Sequence, residues 1–330
     1  MTDQSKIPLP PSGPSLIERA SGAFDFRTMI RPVVPDLPPA AVPQVAPKVE
    51  PKPHSAPVDG QAIPAQPLVM PRFETTRPQP EPQPFRGVHH PIDRAHLREQ
   101  CLIEPESAVT SVLEEFRIVK RQLLQTAAQS RNGIGAPHGE RILVCSAHPG
   151  EGKTFCAVNL ALSIAAEKDN EVLLVDADFA KPSVLSTLGL PGGKGLMDAL
   201  ADPEIAVEDC IIGTDIAGFY VLPAGNATGS DTEYVASART GEVLSRLTAH
   251  SPNRIVIFDS PPVLAASPAI VLANHVGQTV MVVRADMTGE AALRDAVQLL
   301  SACEDIKLLL NGTRFSATGR RFGTYYGYKE

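Results

Sequence analysis

Six short, mostly apolar segments punctuate the last 200 or so residues of the chain: Ile142 to Cys145, Glu171 to Val175, Phe219 to Leu222, Arg254 to Phe258, Thr279 to Val283 and Lys307 to Leu310. Each is too short for a buried helix and is bounded by polar or turn-forming residues, so each reads as a buried strand. Helical spacing fills the intervals, at Phe155 to Ala166, Gly241 to His250, Pro268 to Asn274 and Glu290 to Ala302. A further helix is expected from Ser107 to about Gln129, with Val109, Val112, Leu113, Phe116, Val119 and Leu123 on one apolar face. Glu114, Arg117, Lys120 and Arg121 fall largely off that face, as a solvated face would. Alternating strands and helices predict an α/β fold, a mostly parallel sheet flanked by helices.

Ahead of that pattern the periodicity is lost. Of the 32 prolines, 22 lie at or before Pro105. Residues 1–105 are therefore expected to be a disordered Pro/Ala-rich region, residues 106–311 a folded domain and residues 312–330 a flexible tail. Within the first region, Ser15-Leu-Ile-Glu-Arg-Ala20 has the outline of a short capped amphipathic helix. A docking peptide and a transient helix fit it equally. Arg77 to Pro84 should be extended polyproline-like chain, better read as a spacer than as a ligand for a proline-reading domain.

A net charge of −7, with 20% charged residues and no long basic run, leaves no electrostatic footprint for nucleic acid. Five scattered cysteines without metal-ligand spacing predict reduced, mostly buried thiols in a cytoplasmic protein. No run of eighteen apolar residues and no signal-peptide core occur, so membrane work would depend on another chain.

The candidate chemistry centres on Ser146-Ala-His-Pro-Gly-Glu-Gly-Lys-Thr154. Between a strand and a helix, such a turn cradles phosphates with consecutive backbone N–H groups at a positive helix end. Ala147, His148, Pro149, Gly150, Glu151, Gly152, Lys153, Thr154 and Phe155 are the expected nucleotide contacts. Lys153 reaches the β- and γ-phosphates and the Thr154 hydroxyl sits on Mg²⁺. Two later strands end in carboxylates, Asp176-Ala-Asp178 and Asp259, at the strand ends where open parallel sheets gather ligands. Asn311 stands where a base could be read, but a strand-terminating Asn-Gly turn ranks first. The tail holds Tyr325, Tyr326 and Tyr328, three of five tyrosines, among glycines that leave the hydroxyls accessible.

Taken together, the phosphate loop, Leu173-Leu-Val-Asp-Ala-Asp178, Ile255-Val-Ile-Phe-Asp-Ser-Pro-Pro262 and the tyrosine tail resemble the bacterial tyrosine kinases of exopolysaccharide synthesis. The closest likeness is to the exosortase-associated tyrosine autokinases. The resemblance implies a P-loop NTPase fold of the ParA/MinD type and an ATP- and Mg²⁺-dependent autokinase that phosphorylates its own tail. By it, Lys153, Asp176 and Asp178 are the catalytic group, Asp176 orienting or deprotonating the tyrosine hydroxyl. Thr154, Asp178 and Asp259 hold Mg²⁺, and Tyr325, Tyr326 and Tyr328 accept phosphate.

The family's ring-forming Glu-x-x-Arg-x-x-Arg helix maps onto Glu114, Arg117 and Lys120, where lysine lacks the arginine fork. Implied partners are a membrane polysaccharide co-polymerase that activates the kinase, further copies of the chain phosphorylated in trans, and a protein-tyrosine phosphatase. The implied place is the inner face of the plasma membrane. Two other classes compete: a ParA/MinD-like ATPase switch, against which His148 replaces the signature lysine of that branch, and a nucleotide-controlled scaffold without kinase activity.

Overall fold

The computed structural model describes residues 85, 87–106, 109–249 and 251–313. The Ser15 to Ala20 motif, the polyproline-like stretch and the three tail tyrosines lie outside the described residues. In chain order the elements are β1 (His89–His90), α1 (Arg94–Glu99), α2 (Ser111–Arg131), β2 (Arg141–Ser146), α3 (Lys153–Ala165) and β3 (Glu171–Asp176). There follow α4 (Val184–Leu188), α5 (Leu196–Ala201), β4 (Ile212–Thr214), β5 (Phe219–Leu222), α6 (Asp231–Val235) and α7 (Ala238–Ala249). The last are β6 (Arg254–Asp259), α8 (Pro268–Leu272), β7 (Gln278–Arg284), α9 (Glu290–Leu299) and β8 (Ile306–Asn311).

The described strands form one sheet in the order β1-β4-β5-β3-β6-β2-β7-β8. Only the β4–β5 pair is antiparallel. Alternation along the strands sorts the core into two layers. Leu143, Cys145, Leu173, Val175, Val256 and Phe258 face the side carrying α5 to α9. Ile142, Val144, Val172, Leu174, Ile255 and Ile257 face α2 and α3. The six predicted strands and the longer helices are all present, within a few residues at each end. Strands β1 and β4, two and three residues long, are too short to carry an alternating signal.

Two expectations need correction. The ordered body starts well before residue 106: Ile92, Leu97, Leu102 and Ile103 are buried in the α2/α3 layer. The Ile103 N–H donates to the buried Asn159 carboxamide of α3 at 2.8 Å. Four apolar side chains among prolines and charges are enough to seal one edge of a layer whose other members come from elsewhere, so local composition understates them. Helix α2, for its part, begins at Ser111, where the Thr110 hydroxyl caps the Leu113 N–H. Its buried face is Leu113, Phe116, Lys120, Leu123 and Ala127, which puts Lys120 on the inside.

Candidate nucleotide site

Neighbouring strands β2, β6 and β3 bring the predicted residues to one end of the sheet. Asp176 and Asp259 are register partners, the last residues of adjacent parallel strands, so their side chains leave on the same face. Leaving β2, the chain turns through Gly150 and Gly152, both at positive φ (79° and 95°), which only glycine adopts without strain. No described residue accepts the N–H groups of Gly150, Glu151 or Gly152. Those donors, at the N-terminus of a helix buried nearly all round, make an anion cradle. The segment after β6 secures the base of the loop, where the Val263 N–H donates to the Ser146 carbonyl at 2.9 Å.

Lys153, the first residue of α3, lies 3.6 Å from an Asp178 oxygen, with both side chains about nine-tenths buried (11% exposed each). Thr154 stands beside it, its hydroxyl 3.2 Å from that of Ser183. Asp176 has a different setting. One oxygen accepts the Asp178 N–H at 3.2 Å, and the other accepts those of Ser183 (2.9 Å) and Val184 (3.0 Å). Asp176 thereby braces the loop that presents Asp178 and the start of α4. Burial pushes its pKa up to about 6, against the opposing pull of those three N–H groups, while the Asp178 charge adds to the rise.

Asp259 is fully buried, and neither of its oxygens has a well-formed hydrogen bond. Burial raises it to about 7. The Thr154 hydroxyl and the Lys153 charge work against that rise, and the Asp176 and Asp178 charges add to it. A buried carboxylate without a donor is costly in a folded protein unless something else satisfies it. A divalent cation fits that need, with Thr154, Asp178 and Asp259 offering oxygen ligands only, the set magnesium prefers. Among the described residues no group of three or more His, Cys, Asp or Glu side chains is arranged to hold a metal by itself. So few protein ligands suit an ion that keeps waters and shares phosphate oxygens.

Of the remaining predicted contacts, Ala147 is buried, its carbonyl accepting the Leu264 N–H at 3.3 Å. His148 and Pro149 are exposed and Phe155 is half-buried against the α2/α3 layer. Glu151, expected only as a nucleotide contact, is buried, and its carboxylate accepts the His148 N–H at 2.9 Å and the Thr288 hydroxyl. Asn311 ends β8 ahead of Gly312 at positive φ (70°), as the strand-terminating turn requires, and its carboxamide also donates to the Glu151 carbonyl at 2.9 Å. Thr288 carried no sequence signal, because its partner is 137 positions away.

The proposed oligomerisation triplet does not form one patch. Glu114 and Arg117 pair with each other one helical turn apart on a half-buried surface. Lys120 is turned inward, 5% exposed, donating to the Ser163 carbonyl at 2.8 Å and pairing with Glu167 at 2.6 Å. It neutralises the negative C-terminal end of α3, which removes it from any surface contact. Four of the five cysteines, Cys145, Cys156, Cys210 and Cys303, are buried and unbridged; Cys101 is exposed.

Sheet order, phosphate loop and strand-end carboxylates define a P-loop nucleoside triphosphatase fold. Residues 139–312 match the AAA domain family. The tyrosine-protein kinase YwqD of Bacillus subtilis is 31% identical over 191 residues, covering 57% of this chain and 78% of that protein. The tyrosine-protein kinase wzc of Salmonella typhimurium is 30% identical over 221 residues, 66% of this chain. This chain spans only 29% of the length of that protein. Among solved structures, the BceF tyrosine kinase domain matches with 26% identity and a TM-score of 0.52, covering 67% of this chain and 82% of that one. The kinase domain of Escherichia coli tyrosine kinase ETK shares the fold at 23% identity and a TM-score of 0.55, covering 72% and 93%. The chain belongs to the bacterial tyrosine kinase family.

Proposed function

We propose that the chain is an ATP-dependent protein-tyrosine autokinase that phosphorylates Tyr325, Tyr326 and Tyr328 in its own tail. The observation that carries this reading is the buried Asp259 carboxylate, left without a well-formed hydrogen bond beside the Lys153–Asp178 pair and the phosphate loop. Such a cluster supplies charge neutralisation and positioning, which is most of what phosphoryl transfer requires. In the reaction the bond from the γ-phosphorus to its bridging oxygen breaks, ADP leaves, and the phenol oxygen takes the phosphoryl group. Magnesium, held by Thr154, Asp178 and Asp259, would supply Lewis-acid neutralisation of the phosphate oxygens.

Lys153 balances charge on the transferring group, and the loop N–H groups orient it. Asp176 is assigned the phenol proton: with its pKa raised to about 6, it is a better acceptor than an ordinary carboxylate. Its three N–H donors would have to loosen as it protonates; while ionised, it orients Asp178 through the Asp178 N–H.

The wider setting is part of the same proposal: regulation of exopolysaccharide polymerisation or export, at the inner face of the plasma membrane. Recruitment and activation are assigned to a membrane co-polymerase chain, trans-phosphorylation to further copies of this chain, and resetting to a protein-tyrosine phosphatase. No described helix is long and apolar enough to cross a membrane. With Lys120 buried, a ring contact through α2 would rest on Glu114 and Arg117 alone.

Intact-mass spectrometry after incubation with Mg²⁺-ATP, beside a variant with the three tail tyrosines changed to Phe, tests the proposal. Phosphate increments in the parent and none in the variant are the expected result. Absence of increments in both, with the co-polymerase's cytoplasmic segment added, would replace it with the ATPase switch or the scaffold.

A further inference from the structure

Glu151 is a buried carboxylate that the proposed chemistry leaves unused. It sits inside the phosphate loop between the two positive-φ glycines, and it is 2% exposed. Its carboxylate closes the loop on itself through the His148 N–H at 2.9 Å. The other carboxylate oxygen accepts the Thr288 hydroxyl. Thr288 can donate that proton freely because its oxygen already accepts the Arg284 N–H at 2.9 Å. From the opposite side, the Asn311 carboxamide donates to the Glu151 carbonyl at 2.9 Å. Both the side chain and the main chain of one loop residue are thus held from outside the loop.

The two holding groups share one foundation. Arg284 and Asn311 are register partners at the ends of β7 and β8, and the Ala285 N–H donates to the Asn311 carbonyl at 2.9 Å. Thr288 belongs to the turn that leaves β7. Besides straining the positive φ of residue 152, a Cβ there would push the Asn311 carboxamide out of this bracket.

We infer that Thr288 and Asn311 are positioning residues for the nucleotide phosphates, acting through Glu151 to hold the phosphate loop in its binding shape before nucleotide arrives. A loop held in advance loses less freedom on binding, so the bracket contributes to affinity without touching the ligand. Bound phosphates reimpose the loop shape once they are in place, so the turnover rate is affected less than binding. The inference rests on the nucleotide site of the proposed function but not on tyrosine as the acceptor.

The test is titration of the purified chain with a fluorescent ATP analogue in Mg²⁺, beside thermal melting of the nucleotide-free protein. Asn311→Ala removes one neutral hydrogen bond and should weaken binding about 3- to 10-fold. Thr288→Val leaves a buried carboxylate oxygen without a donor and should weaken it by about 10-fold or more, with Thr288→Ser restoring parental affinity. In turnover assays KM for ATP should rise by similar factors while kcat stays within about twofold. Parental affinity in Asn311→Ala and Thr288→Val would overturn the inference, even if both melt at lower temperature, because that pattern belongs to a merely structural contact. Because the readout is binding, a parent chain that binds nucleotide yet never labels its tail would refute the kinase reading while this titration remained decisive.

Discussion

Residue spacing implies an arrangement both for the carboxyl ends of β3 and β6 and for the outer helix α2, and only the strand ends adopt it. At the strand ends, a carboxylate that terminates a buried parallel strand has one place to go, above the sheet edge, and its neighbour's last residue is fixed by register. On α2, the spacing of Glu114, Arg117 and Lys120 fixes only which residues are neighbours on a cylinder. Whether a given face looks outward is decided by what packs on it, and α3 packs over Lys120. Motifs at strand ends therefore carry three-dimensional information that motifs on amphipathic helices do not.

The contrast breaks first, if it breaks, at the nucleotide end. Changing Lys153 to Met, or Asp259 to Asn, should lower autophosphorylation by about 100-fold or more, since each removes charge stabilisation from the transferring group. Both variants should fold, which circular dichroism and melting would verify. Undiminished labelling in Lys153→Met, measured by intact mass, would mean that the cluster is not where phosphoryl transfer occurs.

A second effect follows from the same burial. Asp259 is held up to about 7 and Asp176 up to about 6, against about 3.8 for an ordinary aspartate. Between about pH 4 and 7 the unfolded chain has released protons that the folded chain still keeps. The metal-free protein should therefore lose stability as pH rises through that window. Asp259→Asn should flatten the upper part of the slope, between about pH 6 and 7. Urea melts at three pH values in the presence of a chelator would show it; an identical slope in parent and variant would mean that Asp259 is not held protonated.

How much could be read in advance tracks the range of the contacts. The six strands of the central sheet were legible because mostly apolar segments of four or five residues leave little choice of structure. The phosphate loop was legible because its glycines and lysine sit within nine consecutive positions. Thr288 and Asn311 escaped as loop supports because they meet Glu151 from 137 and 160 positions away. Residues 89–103 escaped because a two-residue strand and a one-and-a-half-turn helix make no period of their own. Lys120 is the instructive miss, since Leu113, Phe116, Lys120, Leu123 and Ala127 run at 3-4-3-4 spacing. A lysine in the middle of such a row is a sign that its ammonium reaches a buried acceptor, because a buried charge must be paired.

That reading of Lys120 gives the third prediction. Lys120→Ala would leave the Ser163 carbonyl without its partner and open space between α2 and α3, at a loss of about 1–3 kcal/mol. For a domain of this size each kcal/mol lowers the melting temperature by about 2–4 °C. Calorimetry decides it: an unchanged melting temperature together with weaker self-association would return Lys120 to the surface role expected from the helix motif.

The smallest effect is the most discriminating for α2. Arg117 pairs with Glu114 on a half-buried surface, where one such pair one turn apart contributes only about 0.3 kcal/mol. Arg117→Ala should thus leave the melting temperature within about 1 °C of the parent, in contrast with Lys120→Ala three residues on. Any change in sedimentation behaviour of Arg117→Ala then reports an intermolecular role, uncontaminated by loss of fold. If Arg117→Ala melts as low as Lys120→Ala, the helix is a single structural unit and the distinction drawn between its two positions fails. If it melts normally and the oligomer distribution shifts, the exposed part of the motif is an interface and the buried part a brace for the helix that carries Lys153.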